Sequence, residues 1–161
     1  MSKLEGNERW KSKMLLPEHH EQYQERGRRP ASGVPSEEEL RMIRDSVLLP
    51  HLLTMVQRGM EEAQNSTGVL QRLFVRVAQA LHSRIRRDLY ALRRELARRN
   101  IKVESDEQAD MILYYRYTCR GYEERFGIVR DVMRAEIGVK LGRYIGDILK
   151  PLLDRAEQSR F

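Results

Sequence analysis

Between Leu70 and Leu96 the chain carries Leu70, Phe74, Val77, Leu81, Ile85, Leu89, Leu92 and Leu96 at intervals of three or four. Such spacing returns to one side of a 3.6-residue helix and to neither side of a strand. It predicts one continuous helix of about 31 residues, ~46 Å long, which is too long to stand alone and must be met by other elements along its apolar stripe. Asn100 is placed to stop it. Nine arginines between Val69 and Arg99 face two carboxylates, Asp88 and Glu95, so this segment holds a charge of +7 while the whole chain sums to +6. On a helical wheel Arg72, Arg76, Arg84, Arg87, Arg94 and Arg98 fall away from the leucine stripe, most of them nearly opposite it. They form a candidate nucleic-acid-binding ridge, for which a phosphate backbone is the natural counterpart. A plain solvated helix face is the competing reading.

The flanking segments define what the long helix packs against. Residues 1–35 are polar and end in ERGRRPASGVP, with the punctuation of a linker, so the domain is expected over 36–161 with an N-terminal arm before it. Ser36 opens S-E-E-E, a capping box in which the Ser36 hydroxyl caps and Glu39 returns the bond. Leu40, Ile43, Val47 and Leu48 continue it as a helix. Pro50 should kink that helix or begin a second one over 51–62. LLPHLLTMV is apolar nearly all round and is expected to be buried on more than one side.

Beyond Asn100, IKV reads as a short strand, and Met111, Leu113, Tyr115, Tyr117 and Cys119 alternate as a half-buried strand would place them. Arg120-Gly121 turns the chain into YEERFGI, giving an antiparallel hairpin. A helix nucleated by Ser105 and Gln108 is the rival for the same stretch. A final helix is predicted over about 128–149, with Val129, Val132, Met133, Ile137, Leu141, Ile145 and Ile148 inward and Pro151 ending or kinking it. Gly138, Gly142 and Gly146 lie in register along its edge. Each costs ~1 kcal/mol against alanine, so they mark a close helix packing, within the chain or as a homodimer seam. The fold class is therefore α+β, predominantly helical: packed long helices, a small hairpin and a mobile N-terminal arm.

Catalytic chemistry finds little footing. In EHHE, residues 18–21, neighbouring side chains diverge by ~100° on a helix, and the i, i+4 spacing of a metal pair is absent. Glu123 and Glu124 point to opposite faces of a strand. The histidines at 19, 20, 51 and 82 are scattered, Cys119 is the single cysteine, and no Gly-rich phosphate loop occurs. Neither a metal nor another cofactor is expected, and the chain reads as a non-enzyme. No apolar run reaches the ~18 residues of a membrane span, and no secretory leader is legible, so a cytoplasmic location follows.

The segment RWKSKMLLPEHHEQY holds the one tryptophan. Trp10 and Met14 lie four apart, on one face of a helical turn. Trp10, Met14, Leu15, Leu16, Pro17, Glu18 and His19 form a candidate docking motif for a protein partner, or a patch over the chain's own core. LEGNERWKSKMLLPEHHEQY, residues 4–23, resembles the start of YolD-like proteins of spore-forming bacteria, and the resemblance implies a link to error-prone DNA polymerases. LLPHLLTMV, RRNIKV and YYRYTCRGYEERF are similar to the YhjD-like proteins of the same bacteria over most of 36–149, a resemblance that brings no activity with it. The combined expectation is an adaptor or regulator in DNA repair or transcription. Its rival is a structural or sporulation-related homo-oligomer with no nucleic-acid role.

Overall fold

The structure, a computed structural model, describes residues 33–159. The segment with Trp10, Met14, Leu15, Leu16, Pro17, Glu18 and His19 lies outside the described residues. Three helices and one sheet follow in the order α1 (Glu37–Asn65), α2 (Gln71–Arg98), β1 (Ile101–Ala109), β2 (Ile112–Cys119), β3 (Tyr122–Val129) and α3 (Arg130–Gln158). The capping box at Ser36 and Glu39 forms as the sequence predicts, with Glu39 N–H donating to Ser36 Oγ at 3.2 Å and Ser36 N–H to the Glu39 carboxylate at 2.9 Å. Packing begins slightly earlier than Ser36, because Gly33 and Pro35 are already buried.

Pro50 begins no second helix over 51–62, a correction to that branch of the sequence expectation: α1 runs through it as one helix. Val47, Leu48, Leu49 and Leu52 around it are buried on several sides, with Leu48 and Leu52 at 1% and 0% exposure. Burial of that density outweighs the ~3 kcal/mol cost of an interior proline. Pro151 is likewise passed, and α3 continues to Gln158.

α1 and α2 form an antiparallel helical hairpin, in which Arg99, just beyond α2, reaches Glu38 in the first turn of α1. The sheet is a three-stranded antiparallel meander in the order β1-β2-β3. The expected hairpin is present as β2 and β3, and the short IKV strand runs on to Ala109 with an irregularity between Ser105 and Gln108. Arg120 and Gly121 both take positive φ, 48° and 90°, the backbone of a two-residue hairpin turn. Asn100, at φ 56°, ends α2 and swings the chain into β1.

Leu113, Tyr117, Cys119, Ile101 and Ile128 turn one face of the sheet onto Ile43, Leu89 and Leu96 of the hairpin. The sheet covers one end of the helical layer. At the other end Leu70 and Phe74, expected to lie inward, are 55% and 57% exposed. Val129 and Val132 of the predicted α3 stripe are also exposed, whereas Met133 and Ile137 are buried.

The outer sheet face is held by polar contacts. Arg116 and Arg125 are directly opposed across β2 and β3, a repulsive pairing by itself. Asp106 reaches both, at 3.5 and 2.9 Å. Arg125 lies over the Tyr114 ring, 4.2 Å from its centroid, and Tyr114 covers Gly127 across the ladder. A Cβ at Gly127 would come within 2.8 Å of Ile112 Cγ2 and 2.9 Å of the Tyr114 ring. Gly127→Val is therefore expected to lower Tm by about 2–4 °C, corresponding to ~1 kcal/mol of overpacking, as read by thermal circular dichroism. An unchanged Tm would show that the tyrosine moves aside freely.

Candidate functional site

α2 has the strongest amphipathic division in the fold. Leu81, Ile85, Leu89 and Leu96 are buried in the core, which leaves the opposite side to water. Arg72, Arg76, Arg84, Arg87, Arg94 and Arg98 are all exposed, and the distance along the helix from the first to the last is ~39 Å. Tyr90 projects among them at 65% exposure, with the Arg94 guanidinium 5.9 Å from its ring centroid.

The two carboxylates of α2 lie on its flanks and are engaged there. Asp88 accepts from the Tyr144 hydroxyl at 2.8 Å and sits 3.6 Å from Arg84. Glu95 takes Arg98 at 2.6 Å and Arg99 at 2.8 Å, and these guanidiniums pull its carboxyl down to about 2. Arg72, Arg76, Arg87 and Arg94 make no ion pair among the described residues. Four uncommitted guanidiniums thus share one helix face, each with a planar fork of donors suited to phosphate or carboxylate oxygens.

The other sequence candidates separate. A Cβ built on Gly138, Gly142 or Gly146 would meet no heavy atom within 4 Å. The expected close packing inside the chain is therefore not made by any described segment, because α3 turns Met133, Ile137 and Tyr144 inward and the glycines away. Cys119 is fully buried and burial pushes its thiol up, which suppresses thiolate chemistry. Glu124 accepts from Tyr117 and Tyr122 at 2.6 and 3.2 Å, while Glu123, on the opposite face, pairs with Arg116. His51 contacts the Tyr115 hydroxyl at 3.2 Å. Among the described residues no three metal-ligating side chains converge, and EHHE lies outside them.

Sequence reasoning missed a charged knot at the α1 N-terminus. Glu39, at 6% exposure, accepts from Arg120 Nη1 at 2.8 Å and Nη2 at 3.0 Å, and Arg99 approaches to 3.8 Å. The Arg120 hydrogen bonds, then the Ser36 N–H, hold its carboxyl near 2. Glu39 was legible as half of a capping box. Its second role, tying the β2–β3 turn to α1, depends on a contact 81 residues away. Arg44 and Glu136 similarly clamp α1 to α3 through bonds of 2.7 and 2.8 Å.

A family model described as YhjD protein matches residues 34–149, the whole of α1, α2 and the sheet with most of α3. No curated protein and no solved structure matches the chain.

Proposed function

The chain belongs to the YhjD family, and from that premise we propose that it is a non-catalytic adaptor or regulator of DNA repair or transcription whose α2 binds a nucleic-acid backbone. The observation that carries the reading is the exposed arginine face of α2, with Arg72, Arg76, Arg87 and Arg94 unpaired among the described residues. Side chains committed to structural ion pairs offer little to a ligand, since a phosphate must first displace the carboxylate. Here the carboxylates are held at the helix flanks and the outer face is left cationic.

In this reading the protein acts in the cytoplasm, and Trp10, Met14, Leu15, Leu16, Pro17, Glu18 and His19 dock a protein partner while α2 lies on DNA. Recognition by α2 is a distributed charge interaction, so it depends on salt more than on base sequence. With about four phosphates neutralised, the slope of log K against log salt is expected near −4, a roughly 100-fold loss between ~50 and ~200 mM. Fluorescence anisotropy with a labelled duplex of arbitrary sequence measures it. Failure to bind at ~50 mM salt, where such attraction is greatest, removes the proposal.

A further inference from the structure

We propose that a second copy of this chain packs antiparallel on the outer face of α3. Val132, Ala135, Val139, Gly142, Gly146, Leu149, Leu153 and Ala156 succeed one another at steps of 3, 4, 3, 4, 3, 4 and 3. That is an unbroken heptad seam. It does not serve the core of its own protomer: Val132, Val139 and Leu153 are 46%, 58% and 63% exposed, Ala135, Gly142, Gly146 and Ala156 are exposed, and Leu149 is half-buried. α3 therefore has two apolar sides, one spent on α1 and α2 and one without a partner among the described residues.

The pattern fits itself. In an antiparallel pair, Gly142 lies opposite Gly146 of the second copy at the twofold, Val139 opposite Leu149, Ala135 opposite Leu153, and Val132 opposite Ala156. Glycines at the centre let the two backbones approach, and the larger side chains fill the ends against smaller ones. A twofold interface requires this self-complementarity. Charge agrees with the orientation. Lys150, which has no ion partner among the described residues, comes opposite Glu136 of the second copy twice across the antiparallel pair, where it joins the bond that Glu136 already makes to Arg44 of its own protomer at 2.7 Å. The Arg143 side chains meet at the twofold and are long enough to turn outward. A parallel pair would instead set Asp131 beside Glu136.

The other flank is Gly138, Ile145 and Leu152. Ile145 borders an apolar groove lined by Met55, Phe74, Val77 and Leu141. A strip ~10 Å wide along the ~36 Å from Val132 to Ala156 projects to ~360 Å² on each copy. The two strips together give ~700 Å², and side-chain relief with Leu152, 56% exposed on this flank, adds to it toward the ~1,000 Å² that specific association needs.

Sedimentation equilibrium of the full chain at ~50 μM is expected to give twice 19.1 kDa. Gly142→Glu with Gly146→Glu should give the monomer mass, with dissociation favoured at least 100-fold. Helicity should be unchanged, because glutamate is the better helix former. Leu153→Glu, distal and exposed, gives an independent monomer variant. Orientation is read by Ala135→Cys and Leu153→Cys proteins treated with a short bis-maleimide, Cys119 being buried. Cross-linking in the mixture and not in either protein alone supports the antiparallel pair. The reverse pattern, a wild-type monomer, or a dimer that survives both glutamate variants overturns it. Dimerisation lost on removing residues 1–32 also overturns it, and assigns association to the N-terminal segment.

Discussion

Exchanging Arg72, Arg76, Arg87 and Arg94 for glutamate is expected to abolish retention on duplex DNA at ~50 mM salt, while the far-ultraviolet circular dichroism and Tm stay within about 1–2 °C of wild type. The four side chains lie opposite Leu81, Ile85, Leu89 and Leu96 and make no ion pair among the described residues, so their replacement leaves the core and its polar clamps intact. Each exchange removes one favourable phosphate contact and adds one repulsive charge. For four sites the loss should exceed the roughly 100-fold that salt alone produces. Reversal of Lys102 and Arg134, exposed on other elements, should cost about tenfold or less. Equal losses from both sets would mean that net charge, and not the α2 face, governs binding. Retained binding by the four-site variant would end the assignment of the ridge.

Glu39→Ala is expected to cost about 2 kcal/mol, a fall in Tm of roughly 4–8 °C for a chain of this size. Three losses combine: the returned hydrogen bond of the capping box, the bidentate contact with Arg120, and the attraction of Arg99. The Arg120 side chain is 39% exposed and rehydrates once its partner is gone, so the cost stays below that of stranding a fully buried charge. Glu39→Gln keeps an acceptor for Ser36 N–H and should fall between wild type and alanine. The same carboxylate governs acid stability. Its pKa is depressed in the folded state from 4.5 to about 2, so its contribution is present above pH ~4.5 and disappears as pH falls from there through about 2. Acid unfolding followed by circular dichroism should therefore show a smaller loss of Tm between pH 5 and 3 in Glu39→Ala than in wild type. Parallel curves, or an alanine variant within 1 °C of wild type at neutral pH, would assign the α1 N-terminus its stability by other means.

What could be read from the sequence were the features whose cause is local. The leucine intervals of α2 specify a helix and its buried side whatever packs against it, and those intervals also place the arginines outward. Ser36 and Glu39 cap α1 through atoms three residues apart, and Arg120-Gly121 supplies the positive φ values of a tight hairpin. These assignments needed no knowledge of neighbours. Tertiary structure decided the features in which neighbours compete with local preference. Pro50 disfavours an unbroken helix, yet the buried Val47–Leu52 region keeps α1 continuous. Phe74 follows the core period but is exposed, because the sheet closes one end of the helical layer. Glu39 gains its partner from a turn 81 residues later. Gly138, Gly142 and Gly146 advertise close approach in the sequence, while the fold determines that the approaching surface does not come from the described part of the same chain. Periodicity states which residues share a side of a helix; the packing of the other elements decides which side is buried.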